Sequence, residues 1–267
     1  MKKPIGIFDS GVGGLTVYRM IREYFPEEDL IYFGDTARVP YGPKSPNTII
    51  DYSIQNARFL LQRGIKILIV ACNTSSAYAL DRLREITGIP IIGVIEPGAE
   101  RAAVTTKNKR IGIIGTEATV RSDAYRLAIR RLLPDCEVFS QACPLFVPIV
   151  EEGWQDTETA QMIAEEYLGV FKNYGIDSLV LGCTHYPLLH DTIRHVLGQE
   201  VQLVDSAESI ALYLQRIIAA ESDGQAGTDT FFVSDNEEKF PSIAGRIMPK
   251  INIEPKRVRL FESWFAD

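Results

Sequence analysis

Short runs of apolar residues alternate along the chain with longer stretches in which apolar residues recur every three or four positions. The short runs are rich in Ile, Leu and Val, and they predict strands at residues 5–8, 30–33, 65–71, 89–94, 110–114, 178–181 and 201–204. The longer spacing is clear between residues 47 and 63. There, Ile50, Ile54 and Leu61 fall on one face of a helix. Nearly continuous apolar strands separated by helices indicate parallel sheets covered on both faces, and therefore an α/β fold.

The chain also contains an internal repeat. One copy, which ends at Cys72, reads GIKILIVAC and aligns without gaps on GIDSLVLGC, which ends at Cys183, at a constant offset of 111 residues. An offset of 106 residues aligns IGIFDSG, which starts at Ile5, with IGIIGTE, which starts at Ile111. A period this long is not that of a solenoid, so we expect two similar α/β domains related by pseudo-two-fold symmetry.

The repeat also predicts where the two domains begin and end. We expect the first to comprise residues 1–97 together with 208–267, and the second to comprise residues 98–207. Ligands of open parallel sheets bind at the carboxyl ends of the strands, where the following helices begin. Two such domains facing each other place Cys72 and Cys183 on opposite sides of a shared cleft.

Composition narrows the functional classes. The 267 residues include 46% hydrophobic and 24% charged residues and carry a formal net charge of −7. This content is too apolar for a disordered chain, and the acidic balance argues against a dedicated nucleic-acid binder. No apolar run is long enough to span a membrane, and no targeting segment is recognisable, so we expect a cytoplasmic protein. Its cysteines are then expected to be reduced thiols, and their spacing includes no C-x-x-C metal or redox pair.

Cys72 and Cys183 are the strongest candidates for chemistry. A thiol at the N-terminus of a helix has a lowered pKa, and each cysteine is followed by side chains suited to capping a helix, namely Asn73, Thr74, Thr184 and His185. A lone cysteine after an apolar strand is usually a small buried hydrophobe. Two cysteines at matching positions of a repeat favour function instead. Opposed thiols can remove a proton from one face of a carbon and supply one to the other face, which inverts its configuration.

The remaining polar candidates are weaker. Asp9 ends the first strand, where a carboxylate can orient a substrate ammonium or assist a neighbouring thiol, and the glycine-rich turn after it lacks the G-K-[ST] of a P-loop. His185 lies two residues after Cys183, close enough to help transfer a proton. Glu151, after an apolar run, fits either an exposed helix start or a functional acid.

Several other residues are expected to be structural. Cys136 and Cys143 lack a matching position in the repeat and are expected to pack in the core or lie on the surface. Asp35 and Arg38 are expected to form an ion pair. The chain has three histidines, and their spacing of five residues matches no recognised metal site, so we expect none.

The motifs taken together closely resemble the glutamate racemases, members of the cofactor-independent aspartate/glutamate racemase superfamily. The resemblance rests on GIFDSGVGGLTV, YFGDTARVPYGPKS, ACNTSSA, LGCTHYPLL and the VDSA at residues 204–207. It covers most of residues 5–210, whereas the C-terminal 60 residues carry little of it.

This resemblance implies a specific activity. Members of the family interconvert L- and D-glutamate without pyridoxal phosphate, in a site between two α/β domains, and supply D-glutamate for bacterial peptidoglycan and so for cell shape. By resemblance Cys72 and Cys183 are the two proton donors and acceptors, supported by Asp9, His185 and Glu151. The substrate-holding groups it implies are Asp9, Ser10, Tyr41, Gly42, Asn73, Thr74, Thr184 and His185. It implies no cofactor or metal, and a homodimer.

Three alternatives stay open. The first is a relative that acts on aspartate, another acidic amino acid or a hydantoin, because the contacts that choose the side chain are few. The second is a two-lobed binding protein that closes on its ligand without turning it over. The third is a transferase that uses a single cysteine as nucleophile.

Overall fold

The computed structural model describes residues 2–218, 224–249, 251 and 253–260. Its strands are β1 (Ile5–Asp9), β2 (Leu30–Gly34), β3 (Ile67–Val70), β4 (Ile91–Gly93), β5 (Arg110–Gly115), β6 (Glu137–Ala142), β7 (Ser178–Gly182), β8 (Gln202–Asp205), β9 (Asp229–Val233) and β10 (Lys256–Arg257). Its α-helices are α1 (Leu15–Tyr24), α2 (Pro46–Leu61), α3 (Asn73–Tyr78), α4 (Leu80–Ile86), α5 (Ile95–Thr105), α6 (Glu117–Arg121), α7 (Ala124–Leu132), α8 (Phe146–Glu151), α9 (Glu158–Tyr174), α10 (His190–Leu197), α11 (Ser206–Ile217) and α12 (Phe240–Ile247). A short 3₁₀-helix, Tyr186–Leu189, precedes α10.

The strands form two parallel sheets. The larger has the order β10-β9-β2-β1-β3-β4, and the smaller has the order β6-β5-β7-β8. The order β2-β1-β3-β4 therefore recurs as β6-β5-β7-β8. The register recurs as well, because Ile5 pairs with Ile67 in the first sheet, and their repeat counterparts Ile111 and Ser178 pair in the second. The predicted α/β fold of two similar parallel-sheet units is confirmed. We call the elements packed on the larger sheet the first lobe and those packed on the smaller sheet the second lobe.

Each sheet is buried on both faces, as the continuous apolar runs predict. In β1, Ile7 packs with α1 and α11 on one face, whereas Phe8 packs with α2 on the other. In β5, Ile113 and Ile114 likewise point into different clusters. Successive side chains of a strand point to opposite faces, so a strand between two helical layers needs apolar residues at every position. Among the described residues, no helix is long and apolar enough to cross a membrane.

The predicted helices and strands differ from the observed ones mainly in their first and last residues and in a few missing strands. The helix predicted over residues 47–63 is α2, which begins one residue earlier because Ser45 caps it and Pro46 occupies its first position. The strand predicted over residues 65–71 is shorter. Strands β6, β9 and β10 are absent from the sequence prediction. In β6 only Val138 is fully buried, which is why the apolar run that marks a central strand is missing there.

The chain passes from one lobe to the other at two helices. Helix α5 follows β4 of the larger sheet but packs against α7 and the smaller sheet, and α11 follows β8 of the smaller sheet but packs against α1. Strand β9 then pairs with β2 in the larger sheet. The boundaries expected at residues 97 and 207 stay predictions. Residues 1, 219–223, 250, 252 and 261–267 of the expected first domain lie outside the described part of the chain.

Candidate active site

Four strand ends meet at one narrow cleft between the lobes. Ser10, Cys72, Thr116 and Cys183 each follow a strand, β1, β3, β5 and β7 respectively, and all four line the cleft. The structure brings together most of the predicted site residues, since Ser10, Tyr41, Gly42, Cys72, Asn73, Thr74, Cys183, Thr184 and His185 line this space. Its free volume is about 20 Å³, enough for about one water molecule, so the cleft is closed in this structure.

Cys72 is a buried thiol at the start of a helix. It is the N-cap of α3, and its sulfur accepts a hydrogen bond from the Ser75 backbone N–H at 3.5 Å. Its thiol donates to Ser10 Oγ at 3.7 Å. Burial, followed by the nearby charge of Asp9, raises the pKa of Cys72 to about 12. The lowered pKa expected from the helix N-terminus is therefore wrong for this cysteine, because burial and the like charge outweigh the hydrogen bonds.

Cys183 begins a line of three interacting side chains. Its sulfur lies 3.8 Å from His185 Nδ1, and His185 Nε2 lies 3.1 Å from Glu151 Oε1. Burial on its own lowers the pKa of His185, but the hydrogen bonds to Cys183 and Glu151 outweigh burial and raise it to about 10. The imidazole is therefore charged at neutral pH and donates from both nitrogens. A cation is thereby held beside Cys183, whereas Cys72 has no cationic hydrogen-bond partner among the described residues.

The chain after Cys183 does not enter an α-helix directly. The 3₁₀-helix Tyr186–Leu189 intervenes, and neither Thr184 nor His185 caps a helix with its side chain. The capping role expected for these two residues is wrong. Their side chains face the cleft instead, where Thr184 Oγ1 donates to Asp9 Oδ1 at 3.3 Å.

Glu151 is the last residue of α8, so an exposed helix start at this position is wrong. Its side chain is only 24% exposed, and it reaches His185 rather than solvent. Burial favours a raised pKa, but the hydrogen bond from His185 and the charge of that ring outweigh burial, and the pKa of Glu151 is lowered. The carboxylate is thus ionised at neutral pH, which stabilises the His185 cation.

Asp9 lies outside the cleft lining but directly behind it. It is fully buried and accepts a hydrogen bond from the Gly11 backbone N–H at 2.9 Å. Burial raises its pKa, although the charge of His185 acts in the opposite direction. The charge of Asp9 therefore acts on Cys72 on one side of the cleft and on His185 on the other.

The glycine-rich turn after Asp9 allows close packing. A Cβ at Gly14 would lie 2.3 Å from Asp9 Cβ, and a Cβ at Gly13 would lie 2.5 Å from the ring of His185. In the same turn, the Thr16 hydroxyl donates to the Thr184 backbone carbonyl at 3.0 Å. The glycines thus let the first lobe contact the His185 segment of the second.

Tyr41 and Gly42 are held at the cleft by a buried polar network. The Tyr41 hydroxyl donates to Asp35 and accepts from Asn56 Nδ2 at 3.0 Å. The expected Asp35–Arg38 ion pair is confirmed at 2.6 Å, and it is structural because both side chains are largely buried. The Gly42 carbonyl accepts from the Ala118 N–H at 3.1 Å, which links this loop to the second lobe.

Asn73 and Thr74 begin α3 and contact the second lobe. Thr74 Oγ1 lies 2.9 Å from Thr116 Oγ1, and Asn73 Oδ1 accepts a hydrogen bond from the Tyr125 hydroxyl at 2.7 Å. Sequence reasoning missed Thr116 and the apolar lining residue Val147. The sequence did contain a signal for Thr116, because the repeat offset of 106 residues aligns Thr116 with Ser10.

The other residues set aside from the sequence lie away from the cleft. Cys136 and Cys143 are buried, at 3% and 0% exposure, and they do not line it. His190 and His195 lie on α10, and both are exposed. The burial of Cys136 and Cys143 away from the cleft agrees with the packing role expected for them.

Comparisons with known proteins agree with the fold and the motifs. The family model of the Asp/Glu/hydantoin racemases matches residues 5–214. The chain is 53% identical over 250 residues to a glutamate racemase of Geobacter metallireducens, covering 92% of this chain and 93% of that one. A crystal structure of a glutamate racemase from Bacillus anthracis superposes with a TM-score of 0.93 at 39% identity, covering 97% and 98% of the two chains.

A second solved structure gives the same result. The glutamate racemase of Francisella tularensis, solved in complex with D-glutamate, superposes with a TM-score of 0.91 at 38% identity and covers 97% of this chain and 98% of its own. The family resemblance drawn from the sequence motifs is therefore confirmed. This chain belongs to the Asp/Glu/hydantoin racemase family of isomerases.

Proposed function

We propose that this protein interconverts L- and D-glutamate by moving the Cα proton between two thiols, Cys72 and Cys183. One observation carries the proposal: the two cysteines follow equivalent strands of a repeated fold and line the same closed cleft. The glutamate racemases among its relatives support glutamate as the substrate.

The reaction needs one base and one acid on opposite faces of Cα. From L-glutamate, Cys183 as thiolate accepts the Cα proton, and the electron pair of the broken C–H bond remains on the substrate as a carbanion-like species. The Cys72 thiol then donates its proton to the opposite face, which gives D-glutamate and leaves Cys72 as thiolate. The raised pKa of Cys72 suits a group that rests as an acid. The steps reverse for D-glutamate.

The weak acidity of the Cα–H bond makes electrostatic stabilisation essential. The cleft holds about one water molecule and most of its lining side chains are buried, so fixed dipoles and charges act there more strongly than in solvent. The His185 cation beside Cys183 is the strongest such charge on the cleft surface, and Glu151 holds it in place.

Donors at the strand ends bind the anionic substrate in this proposal. The side-chain amide of Asn73 and the hydroxyls of Ser10 and Thr74 supply neutral donors, and the Tyr41–Gly42 loop closes the side of the cleft. Asp9, buried directly behind this lining, supplies a negative charge near the substrate ammonium. Local donors of this kind bind a dicarboxylate even though the whole chain has a net charge of −7.

The physiological part of the proposal rests on the family resemblance. The protein supplies D-glutamate for peptidoglycan, acts in the cytoplasm as a homodimer, and requires no cofactor.

Substitution of each cysteine tests the two-thiol mechanism. Cys72→Ser and Cys183→Ser are each expected to lower racemisation, followed by circular dichroism, by about 10²-fold or more, because each removes one proton-transfer group. Cys136→Ser is the matched control, since Cys136 is buried but does not line the cleft. Full turnover by Cys183→Ser would instead support a transferase that uses Cys72 alone.

Isotope incorporation separates catalysis from binding. In D₂O, the wild-type protein is expected to introduce deuterium at Cα of both enantiomers of glutamate. L-Glutamate that stays undeuterated would contradict catalysis and favour a binding protein. Loss of circular dichroism with L-aspartate but not with L-glutamate would reassign the substrate.

A further inference from the structure

Tyr125 is a buried polar residue that the proposed mechanism does not use. It lies on α7 of the second lobe, is 2% exposed, and has its hydroxyl 2.7 Å from Asn73 Oδ1 on α3 of the first lobe. The bond therefore joins a residue behind the cleft to a residue in its lining.

Two glycines lie close to the Tyr125 ring. A Cβ at Gly98 of α5 would lie 3.0 Å from Tyr125 Cε1, and a Cβ at Gly182 would lie 3.2 Å from Tyr125 Cε2. Both distances are tighter than ordinary contacts. The two glycines thus make room for the ring, and the ring sets the position of its hydroxyl.

The direction of this hydrogen bond determines how the Asn73 amide is turned. Burial, followed by the charge of Asp205, raises the pKa of Tyr125 far above its usual value, so the hydroxyl keeps its proton and acts as donor. An amide has one acceptor oxygen and two donor hydrogens. With the oxygen bonded to Tyr125, the nitrogen lies on the other side, where it donates to Ser206 Oγ at 3.4 Å and retains a second hydrogen.

We infer that Tyr125 is a positioning residue that holds the Asn73 amide with its N–H toward a carboxylate of the bound substrate. The inference rests on the proposed function, since it names the group that the amide binds. Without the Tyr125 hydroxyl the amide is free to turn over and present its oxygen, which repels a carboxylate.

Tyr125→Phe tests this role, and Tyr78→Phe is its matched control. Tyr78 also donates a hydrogen bond from one lobe to the other, to the Ala118 carbonyl at 3.1 Å, but that bond orients no side chain in the cleft. Tyr125→Phe is expected to raise KM for both enantiomers by roughly tenfold with a smaller change in kcat, because a charge-assisted bond to substrate is lost. Tyr78→Phe is expected to leave KM within about twofold of wild type.

Two further measurements keep the inference open to contradiction. Adding Tyr125→Phe to Asn73→Ala is expected to cause no further rise in KM. Asn73→Asp keeps an acceptor for Tyr125 but loses the donor, so it is expected to raise KM by roughly tenfold or more. This variant tests the role of the amide donor even if Tyr125→Phe fails to fold. An unchanged KM in Asn73→Asp, or equal KM shifts in Tyr125→Phe and Tyr78→Phe, overturns the positioning role alone. A wild-type protein that does not racemise glutamate overturns the proposed function as well.

Discussion

Cys72 and Cys183 occupy equivalent positions in the repeat, but their neighbours differ. Cys72 lies near Ser10 and the carboxylate of Asp9, whereas Cys183 lies beside the His185 cation. A nearby anion favours a neutral thiol, and a nearby cation favours a thiolate. The two thiols of the proposed reaction therefore have different electrostatic surroundings, an anion near Cys72 and a cation near Cys183.

Glu151→Gln is predicted to shift the pH dependence of activity. The variant keeps an acceptor for His185 but removes the charge that helps raise the pKa of His185 to about 10. We expect the alkaline limb of the kcat profile to move to lower pH and the His185 ring to titrate at lower pH by NMR. Glu152→Gln is the control, because Glu152 pairs with Lys239 instead of His185. An unchanged profile for Glu151→Gln would contradict the role of the carboxylate.

The raised pKa of His185 also predicts how the stability of the fold changes with pH. The pKa of His185 rises from 6.5 in the unfolded chain to about 10 in the folded protein. The stabilisation that accompanies its protonation is therefore fully present below about pH 6.5 and is lost as the pH rises through 10. Urea denaturation is expected to show a smaller loss of stability over this range in Glu151→Gln. An identical loss in wild type and variant would contradict this linkage.

At the scale of elements, the glycine-rich turn between β1 and α1 determines how closely the lobes approach. Gly13→Ala places a methyl group 2.5 Å from the ring of His185 and 2.6 Å from Thr184 Oγ1. We expect kcat/KM to fall by about tenfold or more while the circular dichroism spectrum stays native, since displacement of reacting groups by about 1 Å can reduce the rate strongly.

A matched glycine substitution separates crowding from helix propensity. A Cβ at Gly169, inside α9, has no atom within 4 Å. Gly169→Ala is therefore expected to keep full activity and to stabilise the protein by up to about 1 kcal/mol in thermal or urea denaturation. Equal activity of the two variants would show that the contact between Gly13 and His185 has no functional role.

The central strands were predictable from sequence because they are buried on both faces. Such strands consist of continuous apolar runs, and the repeat then indicates which of them are equivalent. Strand β6 escaped prediction because only Val138 in it is fully buried, and β9 lies in the C-terminal stretch that carries no repeat. The positions of Cys72 and Cys183 at strand ends followed from the same repeat.

The contacts between residues far apart in the sequence were not predictable. The hydrogen bond from Tyr125 to Asn73 joins residues 52 positions apart, and that between Glu151 and His185 joins residues 34 positions apart. Periodicity reports which face of an element is buried but not which residue of another element it meets. The pKa of Cys72 likewise depends on burial among neighbours from other elements, which a local helix-terminus argument omits.

At the scale of the whole molecule, the closed cleft implies that the lobes must separate. Its free volume of about 20 Å³ admits about one water molecule, and glutamate is larger than one water molecule. Entry and exit of substrate therefore require bonds between the lobes to break, among them the hydrogen bond between Thr74 and Thr116. Opening of this kind accompanies closure over substrate in many enzymes and often limits turnover.

Amide hydrogen exchange can measure this separation directly. The Ala118 N–H donates to the Gly42 carbonyl of the other lobe at 3.1 Å, so it is exposed whenever the cleft opens. The Val120 N–H donates within α6 and reports local fraying of that helix, whereas the Ala71 N–H donates to Phe8 inside the first lobe. We expect Ala118 to exchange faster than both, and glutamate to slow its exchange because bound substrate favours the closed state. If Ala118 exchanged as slowly as Ala71 and did not respond to glutamate, separation of the lobes during substrate entry would be contradicted.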